Sequence, residues 1–428
     1  MARLRRGDLL PRILLPPPGP RSRRLARRSA RYEAPGINTV DPDGTTLVWR
    51  EAKGANVLDV DGNRYLDFTA GFGVAAVGHR HPAVVAAIRD QAGLLVHGLA
   101  DVHSHPGRSE LARQLVRLAP VDDAQVFFAV SGSDAIEIAL KTAFLATHRD
   151  RVLVFDPAYH GMSLGALQLT SRSAFRKPFA HTLGNRVDRL PFGCPEAELD
   201  NWLRRHPQTA CVIVEPIAGR EGIVLPPPGW LGELRRLCTQ HHVLLVADEI
   251  FTGFGRSGRW FAVDHEGVRP DVLCCGKALG GGLQVAAMIG RRDLLSSWDR
   301  DGEALHTGTF VAHPMACAAA LATLGVIRSA RLPGRAARLG RLVEVRLRTW
   351  EGGFESVVAT RGRGLMWGVE MADSDTAHRL TLNLLARGVI ALAGGPDGRV
   401  VQLLPPLVIS DSQLNAALEI VESALVDI

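Results

Sequence analysis

Lysine is scarce in this sequence, and one of the few lysines stands where an amine could do chemistry. Lysine and arginine together number 50, and the lysines among them are Lys53, Lys141, Lys177 and Lys277. Only Lys277 follows an apolar run and precedes a cluster of glycines, which let a backbone approach a ligand closely. Partial burial there would lower the pKa of the amine and make it a nucleophile. The alternative is an ordinary lysine that faces solvent at the end of a strand.

Polar residues follow other apolar runs in the same manner. They are Ser131-Gly132-Ser133 after the run 126–130, Tyr159-His160-Gly161 after 151–155, Glu215 after 211–214 and Asp248 after 243–247. Because the runs are continuously apolar rather than alternating, we expect strands covered on both faces, and hence a mostly parallel α/β sheet. Ligands of such sheets bind outside the carboxyl ends of the strands. These groups and Lys277 are therefore expected to converge on one cleft.

Two of these groups suit a ligand that carries a phosphate and a charged ring. The small residues 131–133 precede a predicted helix at 135–147, and free N–H groups at a helix start bind phosphate, although a serine there is more often only an N-cap. Asp248 ends a buried strand, where a carboxylate needs a cationic or donor partner. A pyridinium nitrogen is one such partner, and an ordinary buried ion pair is the other. Tyr159 is expected either to stack on a flat ring or to pack half-buried.

The elements that must position these residues predict two domains, because 428 residues are too many for one ordinary core. We expect, in order, a basic extension at 1–31, part of a small domain at 32–64, a large ligand-binding domain at 65–330 and the rest of a small α+β domain at 331–428. The stretch 57–68 predicts a hairpin, because Asp-Gly supplies a turn between two alternating strands. A charged amphipathic helix is expected at 334–350.

The net charge of +6 is concentrated in the first 31 residues, which hold ten arginines and one acid, Asp8. Removing the +9 of that arm from the total leaves −3 for the rest of the chain. No motif that reads nucleic acid follows the arm, so we expect no nucleic-acid partner. We interpret the arm as a solvated extension that lies on the body. A transit peptide is the alternative, which the sparse serines and the prolines at 16–18 disfavour.

The cysteines and the lengths of the apolar runs indicate the cellular setting. No run of roughly 18 or more uninterrupted apolar residues occurs, so no membrane span is expected. The six cysteines have no metal-like spacing, and several lie in apolar segments, where a thiol behaves as a small hydrophobe. We therefore expect a reduced, cytoplasmic protein with neither a structural disulfide nor a metal site.

Six motifs occur in a definite order along the chain. They are Ser-Gly-Ser-Asp-Ala-Ile-Glu at 131–137, Tyr-His-Gly at 159–161, Glu-Pro-Ile at 215–217, Asp-Glu-Ile-Phe-Thr-Gly-Phe-Gly-Arg at 248–256, Gly-Lys-Ala-Leu-Gly-Gly-Gly at 276–282 and Thr-Gly-Thr-Phe at 307–310. In this order they resemble the class III aminotransferases, from about residue 35 to the Leu-Leu-Pro-Pro-Leu-Val-Ile segment at 403–409. The resemblance implies the aspartate-aminotransferase-like fold, which is fold type I of the pyridoxal-phosphate enzymes, with 65–330 as the cofactor-binding domain.

The resemblance also implies pyridoxal 5′-phosphate as the cofactor and a role for each matched residue. These roles are the phosphate site (Gly132, Ser133), the two ring faces (Tyr159, Ile250), the partner of the ring nitrogen (Asp248) with its support (His160), the Schiff-base lysine that also transfers the proton (Lys277), the gating carboxylate near the substrate (Glu215) and a contact with the phosphate of a neighbouring subunit (Thr309). The last role implies a homodimer as the smallest active unit.

The departures from the family pattern concern the substrate. Relatives that handle ornithine, acetylornithine or 4-aminobutyrate have arginines for two carboxylates, where this chain has Met162 and Gln402. Glutamine cannot supply the charge of an arginine–carboxylate fork. Arg399 is one candidate to replace it and Arg220 is another, although a surface turn is the expected place of Arg220. Phe251 stands where many relatives have a glutamine that donates to the phenolic oxygen of the cofactor.

We therefore expect an aminotransferase that works by a ping-pong mechanism. A primary amine or amino acid, reacting through an ω- or other non-α amine or an amino-sugar-like amine, would give its nitrogen to the cofactor, and a 2-oxo acid would take it away. Glu215, Met162 and Gln402 are expected to contact the substrate. Lys277 would act as the nucleophile and then as general acid and base. The alternatives are a decarboxylase, epimerase or lyase on the same scaffold, or a scaffold without catalysis.

Overall fold

The structure, a computed structural model, describes residues 4–36, 46–99, 101–299 and 301–428. Residues 1–3 of the predicted extension and residues 37–45 of the predicted small-domain segment lie outside the described residues. The helices are α1 Pro20–Tyr32, α2 Pro82–Ala92, α3 Pro106–Leu118, α4 Gly132–Thr147, α5 Leu164–Leu169, α6 Ser173–Arg176, α7 Glu196–Arg205, α8 Trp230–Gln240, α9 Arg292–Leu295, α10 Pro314–Ser329, α11 Leu332–Arg348, α12 Ser374–Ala386 and α13 Asp411–Val426. Short 3₁₀ helices span Lys177–Phe179, Ala262–His265, Lys277–Gly280 and Ser296–Trp298. The strands are β1 Trp49–Lys53, β2 Asn56–Asp59, β3 Arg64–Asp67, β4 Ala124–Ala129, β5 Arg151–Asp156, β6 Val187–Pro191, β7 Thr209–Val214, β8 Leu244–Asp248, β9 Val272–Cys275, β10 Ala286–Arg291, β11 Val357–Arg363, β12 Met366–Met371, β13 Val389–Ile390, β14 Leu392–Gly394 and β15 Val400–Leu403.

Seven strands form the largest sheet, in the order β4-β10-β9-β8-β7-β5-β6. Strands β9, β8, β7, β5 and β6 are parallel to one another, while β10 is antiparallel to both β4 and β9. The prediction of a mostly parallel α/β sheet is thereby confirmed. The apolar runs do not predict β6, because this strand lies at the sheet edge and its residues are only partly buried. Such a strand lacks the continuous apolar run of a strand covered on both faces.

Successive residues of the central strands enter two different hydrophobic clusters, one on each face of the sheet. In β7, Val212 packs in one cluster and Ile213 in the other. Helix α4 covers the Ile213 face with Ile136 and Ala139, which are fully buried. A buried valine or isoleucine contributes about 1.5–3 kcal/mol when it leaves water. This packing holds α4 against the sheet and places its first turn directly after the carboxyl end of β4.

Two further sheets among the described residues have four strands each. In the order β1-β2-β3-β13, strand β13 pairs in parallel with β3, so a strand from the C-terminal part completes a sheet begun by the N-terminal hairpin. The hairpin predicted at 57–68 is present as β2 and β3, with Leu58 opposite Arg64. The sheet β11-β12-β15-β14 is antiparallel throughout. Helix α11 confirms the amphipathic helix predicted at 334–350, whereas the domain boundaries stay a prediction.

The arginine-rich arm packs against the N-terminal hairpin. Arg12 and Arg64 exchange two backbone hydrogen bonds of 2.8 Å. The backbone N–H of Leu9 donates to Oδ1 of Asn56 at 2.9 Å. Helix α1 begins only after the prolines at 16–18. These bonds hold the described part of the arm on the body.

Three global features of the described residues bear on function. No single helix among them is both long and apolar enough to cross a membrane; α10 and α11, which meet at a bend of 60°, reach the length and composition of a span only as a pair. Within the same ranges, no group of three or more histidine, cysteine, aspartate or glutamate side chains could hold a metal ion. All six cysteines are buried and carry free thiols.

Candidate active site

A cavity of about 210 Å³ opens at the carboxyl ends of the parallel strands. It is lined by Ser131, Gly132, Ser133, Tyr159, His160, Gly161, Glu215, Arg220, Asp248, Ile250, Phe251 and Lys277. The structure therefore brings together the polar groups that follow five different strands. A wider and more open groove of about 570 Å³ lies between α3, β4 and α9, but arginines, a glutamine and apolar residues line it without any nucleophile or carboxylate. The smaller cavity is the candidate active site.

Lys277 begins the 3₁₀ helix that follows β9. Its φ of +40° is a left-handed conformation that is uncommon for a residue with a side chain. Its Nζ lies 3.6 Å from the centre of the Phe251 ring. Burial lowers the pKa of Lys277 to about 8, while the charges of Glu215 and Asp248 act in the opposite direction. An amine with this pKa is partly neutral close to neutral pH and can act as a nucleophile.

Asp248 is the last residue of β8 and is 4% exposed. Its Oδ2 lies 2.7 Å from Nδ1 of His160, and its Oδ1 accepts the N–H of Ile250 at 3.1 Å. The backbone N–H of His160 donates to Oγ1 of Thr170 at 3.1 Å. The carboxylate is thus fixed in orientation, and its negative charge in a buried setting favours a cationic ligand atom.

The loop at 131–133 joins β4 to α4. Oγ of Ser131 accepts the N–H of Asp134 at 3.1 Å, which makes Ser131 the N-cap of α4. A Cβ on Gly132 would lie 3.0 Å from Ile250, so a glycine lets this loop approach Ile250 closely. The same helix start lines the cavity. Capping and ligand binding are therefore compatible in this loop.

Glu215 follows β7 and ties two chain segments together. Its two carboxylate oxygens accept the backbone N–H groups of Tyr159 at 2.8 Å and Gly219 at 3.0 Å. Burial raises the pKa of Glu215 to about 7, and the charge of His160 acts in the opposite direction. Both oxygens are engaged with the main chain, so the gating role of Glu215 stays a prediction.

The structure corrects the expected place of Arg220, which lies in the cavity wall rather than in a surface turn. Its Cζ is 4.4 Å from the centre of the Tyr159 ring and 5.4 Å from that of Phe175. The loop can turn inward because Gly219 has no side chain: a Cβ there would lie 2.3 Å from Phe251. The motif Gly-Arg-Glu-Gly carries no signal for this direction, and no motif marks Phe175.

Two residues of the predicted substrate site lie outside the cavity lining: Gln402, which is expected to contact the substrate, and Arg399, a candidate to bind a carboxylate in its place. Gln402 is buried on β15, and its Nε2 donates to the carbonyl of Gly219 at 3.0 Å. Arg399 is paired with Glu370 at 2.8 Å. Neither residue lines the cavity, so Arg220 is the candidate arginine that the structure brings to the site.

Met162 and Thr309 also lie outside the cavity lining. The side chain of Met162 is 46% exposed, and its N–H donates to Oγ of Ser133 at 3.2 Å. Thr309 is exposed. The predicted contacts of Met162 with substrate and of Thr309 with a neighbouring subunit stay predictions.

Known proteins similar to this chain agree on its family. A model of class III aminotransferases matches residues 39–425. The acetylornithine aminotransferase of Methanopyrus kandleri is 39% identical over 392 residues, which cover 91% of this chain and 96% of that protein. The alanine/serine racemase of Pyrococcus horikoshii is 33% identical, over 97% of this chain and 93% of that protein. The crystal structure of the ornithine aminotransferase from Toxoplasma gondii has a TM-score of 0.87 at 30% identity and covers 94% of both chains. The chain therefore belongs to the class III aminotransferases, the pyridoxal-phosphate enzymes of fold type I that its motifs resemble.

Proposed function

We propose that this aminotransferase takes nitrogen from a primary amine whose reacting carbon bears no carboxylate, such as an ω-amine or an amino-sugar-like amine, and gives it to a 2-oxo acid. The proposal rests on the hydrogen bond that Nε2 of Gln402 donates to the carbonyl oxygen of Gly219 at 3.0 Å. The described lining of the cavity includes no residue of β15. That strand therefore offers no cation that could bind a carboxylate beside the reacting carbon. A substrate with a terminal amine is also compatible with the names of the acetylornithine and ornithine aminotransferases.

The residues of the cavity fit pyridoxal phosphate. The start of α4 at 131–133 offers N–H groups and hydroxyls for the phosphate, and Asp248 offers a carboxylate for the ring nitrogen. Tyr159 and Ile250 supply apolar surface for the two faces of the ring. Lys277 supplies the amine that binds the cofactor covalently. When bound, the cofactor contributes an aldehyde and an electron sink for the carbon that loses its proton.

Lys277 is the group that moves the proton in this proposal. With a pKa of about 8, the amine can accept a proton from the substrate carbon and return it at a nearby atom. Asp248 keeps its direction through the 2.7 Å contact with His160. Glu215 holds Tyr159 in place through the main chain at 2.8 Å. These residues orient the ligand while Lys277 does the acid–base work.

A half-reaction with an amine alone tests the proposed donor. The holoenzyme is mixed with single compounds from a panel of ω-amines, amino sugars and α-amino acids, without a 2-oxo acid, and the absorbance of the cofactor is followed. We expect a non-α amine to convert the cofactor to its amine form with the highest kcat/KM, and a 2-oxo acid to reverse the change. A preference for α-amino acids over every non-α amine would refute the donor assignment. A racemase or decarboxylase would leave the cofactor in its aldehyde form.

We also propose that the active unit is a homodimer, in a reducing compartment such as the cytoplasm. Two stretches of the chain with exposed large apolar side chains meet where the rings of His97 and Phe310 lie 5.5 Å apart. They include Leu94, Val96, Leu99, Val102 and Phe310. Exposed apolar surface of this kind marks an interface, and Thr309 is adjacent to it in the chain. Light scattering should give the mass of two chains; a fully active monomer would contradict this proposal.

Six free buried thiols suit a reducing compartment.

A further inference from the structure

We propose that Arg220 recognises the carboxylate of the 2-oxo acid, and that its guanidinium leaves the rings of Tyr159 and Phe175 to do so. The inference rests on the reaction proposed above, in which the amine donor and the acceptor differ in charge. In this proposal, the loop after β7 supplies the cation that binds the carboxylate, a role that a cation on β15 would otherwise have.

Arg220 has no acidic partner among the described residues, although an acid is next to it in the chain. Glu221 pairs instead with Arg172, whose Nε lies 2.8 Å from Oε1 of the carboxylate. In the described lining of the cavity, Arg220 and Lys277 are the arginine and lysine side chains present. Because Lys277 serves the cofactor, Arg220 is the cation left for a second ligand.

Hydrogen bonds hold the main chain around Arg220, whereas the guanidinium of Arg220 contacts aromatic rings. The carbonyl of Arg220 accepts the N–H of Gly395 at 3.1 Å. The neighbouring Gly219 donates its N–H to Glu215 at 3.0 Å and accepts from Gln402, also at 3.0 Å. The guanidinium can therefore swing about the side-chain bonds of Arg220 without moving the loop.

The guanidinium position over the rings suits the amine, and the proposed second position, away from the rings, suits the 2-oxo acid. Over the ring of Tyr159, at 4.4 Å, Arg220 contributes a flat surface that is compatible with an amine lacking a carboxylate. A carboxylate that enters the cavity offers two oxygens, and a fork of two charge-assisted hydrogen bonds is stronger than the contact with a ring. The carboxylate therefore selects the second position, and the amine leaves the first undisturbed. One arginine thus serves both halves of the reaction.

The test measures the two half-reactions separately in Arg220→Gln, with Arg399→Gln as the matched control. Arg399 is an arginine outside the cavity lining that pairs with Glu370 at 2.8 Å. Each holoenzyme is converted to its amine form with excess donor and is then mixed rapidly with pyruvate or 2-oxoglutarate. We expect Arg220→Gln to lower kcat/KM of the 2-oxo acid half-reaction by about 10- to 100-fold, mainly through KM, because a charged hydrogen-bond donor is lost. The amine half-reaction of Arg220→Gln and both half-reactions of Arg399→Gln should stay close to the native rates.

Two further measurements distinguish recognition from a structural role of Arg220. Arg220→Lys should recover part of the loss, because lysine keeps the charge without the planar fork. Added guanidinium ion should partly rescue the 2-oxo acid half-reaction of Arg220→Ala, which repair of a folding defect would not do.

Three results would overturn the inference: an unchanged 2-oxo acid half-reaction in Arg220→Gln, equal losses in both half-reactions, or release of the cofactor. The last would assign Arg220 to the cofactor phosphate instead. Failure of the proposed function is recognised separately, because the native enzyme would then react fastest with α-amino acids or would leave the cofactor in its aldehyde form.

Discussion

The two walls of the cavity differ in how their side chains are held. On the wall that faces the cofactor site, Asp248 has a polar partner on each oxygen, His160 at 2.7 Å and the N–H of Ile250 at 3.1 Å. On the second wall, at 219–221, the main chain is bonded to its surroundings, while the guanidinium of Arg220 has aromatic rings as its neighbours. Fixed groups suit a ligand that stays bound, because their orientation is established before it arrives. A movable charge suits two substrates that bind in turn.

The largest effect is expected on the first wall, at Lys277. Replacement by alanine removes the nucleophile and the proton carrier together, so turnover should fall by at least about 10³-fold. Steady-state transamination by the purified variant measures the loss. Lys177→Ala is the control, since Lys177 lies outside the cavity lining, and it should remain close to the native enzyme. Substantial activity in Lys277→Ala would contradict the role of this lysine.

The pH dependence of cofactor capture reports on the first wall, because the amine that captures the cofactor lies there. The pKa of Lys277 is lowered to about 8, so the amine is protonated below this pH and neutral above it. Capture of pyridoxal phosphate by the apoenzyme should therefore accelerate by about tenfold per pH unit below that value and level off above it. Stopped-flow absorbance across this range gives the profile. A midpoint near the pKa of a free lysine, about 10.4, would mean that burial does not act on Lys277 in solution.

The substitution Gly161→Ala tests how closely the first wall is packed around Ser133. Gly161 has a φ of +133°, and a Cβ there would lie 2.1 Å from Oγ of Ser133. The variant should lose about 1–3 kcal/mol of unfolding free energy and bind the cofactor more weakly. Gly229→Ala is the control, because Gly229 has a φ of +84° but a Cβ added there would meet nothing within 4 Å. Equal losses in the two variants, measured by denaturant unfolding, would show that the contact with Ser133 is unimportant.

The smallest effect is expected on the second wall, from Gln402→Leu. The change removes the hydrogen bond to the carbonyl of Gly219 and should cost about 1 kcal/mol of unfolding free energy. Because the loop that carries Arg220 is loosened, the 2-oxo acid half-reaction should slow by about fivefold while the amine half-reaction is unchanged. Gln240→Leu, at an exposed glutamine on α8, controls for the loss of an amide. Equal slowing of both half-reactions would mean that the two walls are not independent.

Asp248 and Arg220 show how far the sequence could predict the site. Asp248 ends a buried apolar run, and a residue at the end of such a run lies at the carboxyl edge of a parallel sheet. The hairpin at 57–68 and the helix at 334–350 depend on local patterns in the same way. Arg220 lies in an irregular loop, where no periodicity determines the direction of a side chain, so its direction could not be predicted. Strand β6 escapes prediction for a related reason, since an edge strand that is only partly buried has no continuous apolar run.

By itself, the sequence determined the family, the mostly parallel sheet and the order in which polar groups follow the strands, because these depend on short motifs and local periodicity. Only the tertiary structure decided how the polar groups around the substrate are paired. It joins Gln402 to Gly219 and Arg399 to Glu370, and it leaves Arg220 over two rings in the cavity wall. The physical reason is distance along the chain. Gln402 and Gly219 are 183 residues apart in sequence, and no local pattern encodes which of two distant groups will meet.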